Sequence, residues 1–298
     1  MVAIRSLLKA VLVFVLVIPL SGCRYALLDP KGIIANAEMH ILIESMLLML
    51  IVVIPVVVLS IVFSWRYREG KNAAYEPEWS HSTVLEIIWW TIPCIIIGIL
   101  AMITWNSCHR LDPFKPLASN EKPLVIQVIA LDWKWLFIYP KENIATVNYM
   151  KIPVNTPIEL HMTADNVPMS SFIVAQMGSQ IYAMAGMKTQ LHLIANQLGE
   201  FRGLNTLVSG DGFSEMYFNV DVVDEKSMQQ WVKQVQKSPE HLTESEYKNL
   251  LNPSIGDAPM FFSQVPANFL DKVVELYMMT FGSAHPRQNQ IKFHQMIH

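Results

Sequence analysis

The stretch LVIQVIAL at residues 124–131, followed by WKWLFIY at 133–139, decides the fold of this chain. Both runs are rich in β-branched and aromatic residues, which favour strands. Four aromatic rings alternate along the second run and would share one face of a strand: Trp133, Trp135, Phe137 and Tyr139. Pro140 then supplies a turn signal. The stretch therefore predicts two strands of a sheet.

Four further short runs with alternating apolar residues follow along the chain. Turn signals that contain Pro, Asn or Gly separate them, as at Gly210-Asp211-Gly212. This spacing is typical of an all-β sandwich or barrel of about 100 residues. We therefore predict one β-domain over residues 124–223. The further runs are Ile158–Thr163, Phe172–Gln176, Gln190–Ala195 and Glu215–Val223.

The region before the β-domain is strongly apolar. The chain as a whole is 52% hydrophobic, with a mean hydropathy of +0.30, which is too apolar for an ordinary soluble domain. Ser45–Phe63 and Ile87–Trp105 each run for 19 residues without a charge. A helix needs roughly 20 residues to cross the hydrocarbon core. We predict two transmembrane helices at about 41–64 and 86–107.

The N-terminus combines a positive segment, with Arg5 and Lys9, and a short apolar segment, Ala10–Leu20. The tetrapeptide Leu-Ser-Gly-Cys follows and ends at Cys23. A short apolar segment before small residues is typical of a secretory signal. The tetrapeptide resembles the bacterial lipobox, so we predict a lipoprotein signal at 1–22 and lipidation of Cys23. The alternative is an uncleaved first membrane helix with an incidental cysteine.

The loop between the two apolar runs carries Arg66, Arg68 and Lys71. Positive charge is concentrated in cytoplasmic loops, so we place this loop in the cytoplasm. An exported, lipidated N-terminus independently agrees with that orientation. Residues 23–109 are thus predicted as a lipidated N-terminus and a membrane hairpin, and the proline-containing residues 110–123 as a linker.

Beyond the β-domain, residues 224–298 show helical patterns. Apolar residues recur at helical spacing in Asp224–Gln236 and Pro266–Phe281. Thr243-Glu244-Ser245-Glu246 reads as a capping box for a helix that stops at Asn252-Pro253. We interpret these C-terminal helices as a packed cap or as a surface for a partner subunit.

Several function classes are disfavoured. The net charge is −3 and no dense basic run occurs, which argues against a nucleic-acid partner. The motifs for nucleophilic catalysis, phosphate binding and haem attachment are absent from the sequence. Glu38, His40 and Glu44, at the outer end of the first span, are interpreted as groups that reach the membrane interface.

Phe201–Met216 resembles a metal-binding loop whose ligands have been replaced. Its core reads Asn205-x3-Ser209-x3-Phe213-x2-Met216. In the second subunit of haem–copper oxidases, the similar loop reads Cys-x3-Cys-x3-His-x2-Met and holds a dinuclear copper centre. Such a centre needs soft thiolates and imidazoles, which these positions lack.

Ser170 occupies the position of a further histidine ligand in that family, and Leu207 that of a glutamate. The resemblance implies a two-helix transmembrane hairpin followed by a periplasmic cupredoxin-like β-sandwich with C-terminal helices. The sandwich is expected to lack the copper centre, as in the quinol oxidases of the family. A plain Gly-containing connection between strands would equally predict no metal. The aromatic face of residues 133–139 is then interpreted as core and partner contact rather than as an electron relay.

The resemblance also implies a function. Quinol oxidases of this family are proton-pumping complexes of the bacterial inner membrane that oxidise ubiquinol and reduce oxygen to water. Haem groups, one copper and ubiquinol would belong to catalytic subunit I, which leaves this chain without a cofactor. The expected partners are subunit I, smaller subunits and the lipid bilayer, without cytochrome c.

Glu86 begins the segment Glu-Ile-Ile-Trp-Trp-Thr-Ile-Pro93. This segment resembles one whose glutamate stands at the mouth of a proton-uptake channel of the catalytic subunit. A carboxylate at a membrane edge can exchange protons with the cytoplasm. The alternative is an interfacial glutamate that the helix dipole stabilises.

Two rival functions remain open at this point. A lipid-anchored sensor or assembly module without oxidase activity fits the composition and the topology equally well. A cytochrome c oxidase subunit would need the copper ligands that the loop lacks. The resemblance favours the quinol oxidase subunit over both.

Overall fold

The computed structural model describes residues 26–68, 81–117 and 121–281. The predicted signal segment and Cys23 lie outside these residues. Two long helices come first: α1 spans Ile33–Arg66 and α2 spans Thr83–Arg110. Both are long and apolar enough to cross a membrane.

The two helices are longer than the predicted spans of 41–64 and 86–107. Hydropathy marks only the apolar part of a helix, whereas its backbone hydrogen bonds continue into polar residues at both ends. Hydroxyl groups inside the spans bond back to the helix, as Ser60 does to Val56 O at 2.7 Å and Thr104 to Leu100 O at 2.8 Å. Such bonds satisfy these two hydroxyl donors within the helix.

Eleven strands follow within the described residues and form two sheets that enclose the main core. The six-stranded sheet has the order β11-β3-β2-β1-β5-β8, and the five-stranded sheet the order β4-β10-β9-β6-β7. The strands are β1 Leu124–Leu131, β2 Lys134–Tyr139, β3 Ile144–Val147, β4 Tyr149–Pro153, β5 Ile158–Ala164, β6 Met169–Ile173, β7 Gln180–Met184, β8 Thr189–Leu193, β9 Gly199–Asn205, β10 Tyr217–Val223 and β11 Met260–Phe262.

The opening stretch forms the antiparallel pair β1 and β2, with Val128 opposite Phe137. β1 also runs parallel to β5, with Ile126 opposite Leu160. The β-sandwich prediction is confirmed, although Trp133 lies in the turn before β2 rather than in the strand. Its φ of 58° is incompatible with an extended strand residue.

The aromatic face of β2 fills the core, as predicted. Trp135, Phe137 and Tyr139 are fully buried. The ring of Trp135 meets that of Phe172 edge-on, with centroids 5.4 Å apart, and the ring of Phe137 lies 4.9 Å from that of Phe218. Aromatic contacts of this kind add to the stabilisation from burial alone.

Five strands were not predicted from the sequence, namely β3, β4, β7, β9 and β11. β3 and β4 are short and are separated by Asn148 alone, whose φ is 54°. β9 alternates between buried and exposed residues, but its glycines weaken the apolar signal. One of these, Gly203, is required because a Cβ there would lie 1.9 Å from the Phe218 ring.

The C-terminal region contains the helices α3, Glu225–Val235, α4, Glu244–Leu251, and α5, Phe269–Phe281. It is not a purely helical appendage, which corrects the expectation for residues 224–298. β11 pairs with β3 and so extends the six-stranded sheet. α4 and α5 cover the outer face of β1 and β2 through a second apolar cluster. That cluster includes Leu136 and Ile138 of β2, Leu250 of α4, and Leu270 and Val273 of α5.

The start of α1 is joined to the β-sandwich by backbone hydrogen bonds. Lys31 N donates to Gln176 O at 2.6 Å, and Asn196 N donates to Lys31 O at 2.7 Å. Ala35 N donates to Met177 O at 3.2 Å. The first N–H groups of a helix have no partner inside it, so the Met177 carbonyl acts as a cap for α1.

Glu38 makes a second connection between α1 and the β-sandwich. Its carboxylate accepts hydrogen bonds from Ser179 N at 3.0 and 3.2 Å. Ser179 and the preceding Gly178 have φ values of 58° and 98°. A Cβ at Gly178 would lie 2.5 Å from Ala35 N, so close approach also requires glycine here. The interpretation of Glu38 as a group that reaches the membrane interface did not include this contact with Ser179.

We predict that Glu38→Ala loosens this connection. The substitution leaves the buried Ser179 N–H without its carboxylate acceptor, which costs about 1–3 kcal/mol. Thermal unfolding of the full chain in detergent and amide exchange at Ser179 would measure the change. Glu44→Ala, at an exposed position of the same helix, is the control. Equal unfolding and exchange in the two variants would contradict the prediction.

Candidate functional site

The loop between β9 and β10 is the candidate site. β9 and β10 are antiparallel, with Leu204 opposite Tyr217, so both ends of the loop are fixed by the sheet. A 3-10 turn, Phe213–Glu215, leads into β10. The predicted ligand positions Asn205 and Met216 are buried where the loop leaves and rejoins the sheet.

The side-chain amide of Asn205 is the centre of the loop. Its oxygen accepts from Ser171 N at 2.9 Å and from Leu207 N at 3.1 Å. Its nitrogen lies 3.0 Å from Leu207 O, 3.1 Å from Met216 Sδ and 3.4 Å from Ser209 Oγ. These contacts, the Asn205 network, tie β6 and β9 to the loop and to Met216, the residue before β10.

The indole ring of Trp133 packs against the backbone of the loop and supports it. Its indole N–H donates to Ser209 O at 3.1 Å. A Cβ at Gly212 would lie 2.3 Å from the Trp133 ring, and one at Gly210 would lie 3.3 Å from it. Gly210 also has a φ of 107°. The two glycines allow the loop backbone to lie directly on the indole.

The other two positions that correspond to copper ligands in the resemblance, Ser170 and Phe213, differ in burial. Ser170 is buried on β6 opposite Ala183, and its hydroxyl has no hydrogen-bond partner among the described residues. Phe213 is half-buried at the start of the 3-10 turn. The structure brings Asn205, Ser209 and Met216 into contact. Among the described residues the Ser170 hydroxyl makes no hydrogen bond to this network, and Phe213 joins it only through its carbonyl, which accepts from Met216 N at 3.2 Å.

The site does not fit a dinuclear copper centre. Its donors are a neutral amide, two hydroxyls and one thioether, and copper pairs require thiolates and imidazoles. The Asn205 amide is already engaged on both its oxygen and its nitrogen. In the part of the chain that the structure describes, no group of three or more His, Cys, Asp or Glu side chains is arranged to hold a metal ion.

Glu86 lies in the first turn of α2, after the N-cap Ser82. Its backbone N–H donates to Ser82 O at 2.9 Å, and its side chain is half-exposed. A carboxylate at this position interacts favourably with the helix dipole. Because α1 and α2 form a hairpin, Glu86 lies at the same end of it as Arg66, the last residue of α1.

Sequence reasoning missed two parts of this arrangement. The replacement residue Asn205 was read as a lost ligand, although an amide can both donate and accept and is suited to a hub. The Glu38–Ser179 contact joins residues 141 positions apart. The only local signal near this contact is the group of turn residues after β6, which includes Gly178.

Comparison with known proteins identifies the family. The model for the transmembrane domain of cytochrome c oxidase subunit II matches residues 33–106. The cytochrome bo(3) ubiquinol oxidase subunit 2 of Pseudomonas aeruginosa is 46% identical over 259 residues, which cover 87% of this chain and 78% of that protein. The ubiquinol oxidase subunit 2 of Acetobacter aceti is 44% identical over 261 residues, covering 87% and 84%.

A solved structure is also similar: the periplasmic domain of subunit II of the cytochrome oxidase of Bradyrhizobium japonicum. It is 22% identical and covers 40% of this chain and 96% of that chain, with a TM-score of 0.37. The sequence relatives alone, at more than 40% identity over most of both proteins, are sufficient to assign the family. The chain belongs to the ubiquinol oxidase subunit 2 family.

Proposed function

We propose that this chain is subunit II of a proton-pumping terminal oxidase of the respiratory chain, which oxidises ubiquinol and reduces oxygen to water. The single observation that carries the choice of electron donor is the Asn205 network. An amide and its hydrogen bonds stand where a relative that accepts electrons from cytochrome c would need thiolate ligands. Electrons therefore reach the complex from within the membrane.

The chain itself performs no redox step in this proposal. It docks its membrane hairpin on catalytic subunit I, which holds the haem groups, one copper and the ubiquinol, and it contacts the smaller subunits. Two features support docking. The apolar side chains of α1 and α2 are largely exposed along the hairpin. The β-sandwich is also fixed to α1 at two points, so it is held in place over the outer end of the hairpin.

The chain is a protein of the bacterial inner membrane. We propose that its β-sandwich and C-terminal helices lie in the periplasm and that lipidated Cys23 anchors the N-terminus there. The loop with Arg66 and Arg68 then faces the cytoplasm, in accordance with the positive-inside rule. Glu86 lies at that cytoplasmic end of the hairpin and contributes to proton uptake by subunit I.

A lipid-anchored sensor or assembly module is the second candidate function. The same membrane hairpin and β-sandwich would serve it. The Asn205 network does not favour this second function, because it lies where oxidase subunits of the family carry copper ligands, and a sensor or assembly module would need no such position. Co-purification with a haem-containing subunit separates the two functions.

The choice of electron donor can be tested by oxygen uptake. We expect the purified complex to consume oxygen with ubiquinol and not with reduced cytochrome c. The absorption spectrum of the haem groups verifies that the complex is assembled. Oxidation of cytochrome c at a comparable rate would overturn the proposal, and purification of the chain without any haem-containing partner would favour the alternative.

Glu86→Ala should lower the rate of ubiquinol-dependent oxygen uptake severalfold, because it removes a carboxylate that exchanges protons at the membrane edge. Glu86→Asp, which keeps a carboxylate, should retain most of the rate. Glu44→Ala, at the opposite end of the hairpin, is the control. An unchanged rate in Glu86→Ala, with normal haem content, would rule out the role in proton uptake and leave the docking role intact.

Asn205→Ala should destabilise the β-sandwich. It leaves the N–H groups of Ser171 and Leu207 without their acceptor, at a cost of about 1–3 kcal/mol each where they stay dry. Chemical unfolding of the full chain would measure the loss. Val208→Ala, at a position in the same loop that is 77% exposed, should change stability by less than about 0.5 kcal/mol. Similar effects of the two substitutions would contradict a central role for Asn205.

A further inference from the structure

Asp165 is a buried carboxylate that the proposed function does not use. It follows β5 directly and is 2% exposed. The hydroxyl of Tyr247, on α4, donates to one of its oxygens, and the hydroxyl of Tyr277, on α5, donates to the other at 2.9 Å. One side chain of the β-sandwich thus holds two separate C-terminal helices.

Neighbouring groups extend this contact. The Tyr277 hydroxyl accepts from Asn166 N at 2.7 Å. The side-chain amide of Asn166 donates to Asp132 at 3.1 Å and to Leu251 O, at the end of α4, at 3.2 Å. We call Asp132, Asp165, Asn166, Tyr247 and Tyr277 the Asp165 cluster. It joins two turns of the β-sandwich to α4 and α5.

The partners that bind the Asp165 carboxylate are neutral. Lys134, on β2 beside the cluster, instead bonds to Asn252 O at 2.9 Å and pairs with Asp257 at 3.3 Å. On α5, Asp271 pairs with Lys188 at 3.1 Å. Glu246 bonds to Asn249 within α4, and the side chains of Glu244, Lys248, Lys272 and Glu275 are exposed.

A carboxylate that is buried among hydroxyl groups is costly to keep ionised, because hydroxyls replace only part of its hydration. Burial accordingly raises the pKa of Asp165, while the hydrogen bonds from Tyr247 and Tyr277 oppose the rise. Burial also raises the pKa of both tyrosines, so their hydroxyls remain protonated donors. A raised pKa in the packed state means that proton uptake favours packing, and this stabilisation is lost as the pH rises through the raised pKa.

We propose that the Asp165 cluster is an acid-strengthened latch, which fastens α4 and α5 to the β-sandwich more tightly as the pH falls. Its geometry suits this role because a single titrating group binds both helices. The latch is independent of the electron donor and of Glu86. It would make the C-terminal surface respond to the acidity of its compartment.

Amide hydrogen exchange on the intact complex, from about pH 4, near the ordinary pKa of an aspartate, to about pH 7.5, tests the latch. After correction for the intrinsic exchange rate, protection of the amides in α4 and α5 should rise as the pH falls. The rise should be about tenfold for each unit by which packing raises the pKa of Asp165. Protection that is constant or that falls on acidification would overturn the proposal.

Two variants identify the group whose protonation causes the pH dependence. Asp165→Asn is nearly isosteric and neutral, so protection in α4 and α5 should lose its pH dependence. Burial also raises the pKa of Asp132, while the charge of Lys134 and the hydrogen bond from Asn166 oppose the rise. Asp132 bonds to Asn166 and to neither helix, so Asp132→Asn is the matched control and should keep the pH dependence. Loss of the pH dependence in Asp132→Asn, or its persistence in Asp165→Asn, would contradict the latch.

Tyr247→Phe keeps the test decisive if Asp165→Asn does not fold. It removes a donor that favours the ionised carboxylate, so the midpoint of the pH dependence should move to higher pH. A midpoint that stays in place or moves to lower pH would exclude Asp165 as the sensing group.

Discussion

The amide of Asn205 is held on both its oxygen and its nitrogen, and the shape of the loop between β9 and β10 depends on it. A buried polar group is stabilising only when its partners are all satisfied, and this one satisfies the backbone N–H of Ser171 on β6 as well as the backbone N–H and carbonyl of Leu207 in the loop. A metal centre would need charged ligands and would supply a redox potential. An amide hub fixes the loop by hydrogen bonds alone, which agrees with the proposal that this chain carries no electrons.

A β-sandwich without a redox centre is useful to a membrane complex only if its position is fixed. The carbonyl of Met177 caps α1, and the Glu38 carboxylate binds Ser179 from the next turns of that helix. α4 and α5 cover β1 and β2, so these strands are buried on both faces. The β-sandwich is thereby fixed both to the membrane hairpin and to the C-terminal helices, which suits the proposed role of a subunit that covers a catalytic partner.

The sequence predicted what depends on local patterns. The apolar runs indicated α1 and α2, and the opening stretch indicated β1 and β2. Contacts between distant residues could not be predicted this way, because hydrogen bonds such as Glu38–Ser179 and Tyr247–Asp165 leave no periodic signal. β11 was missed for the same reason, since three residues become a strand only beside β3. At the loop between β9 and β10, the sequence showed that copper ligands are missing. The hydrogen bonds of Asn205 became apparent only in the structure.

Hydrogen bonds, and not a metal, hold the loop around Asn205. Thermal unfolding of the purified chain with added copper, compared with the same chain in a chelator, distinguishes the two. A ligand that binds the folded state raises the unfolding temperature by mass action. We predict the same unfolding temperature in both conditions. A rise with copper that Asn205→Ala or Met216→Ala abolishes would contradict the claim, because it would reveal a metal bound at this loop.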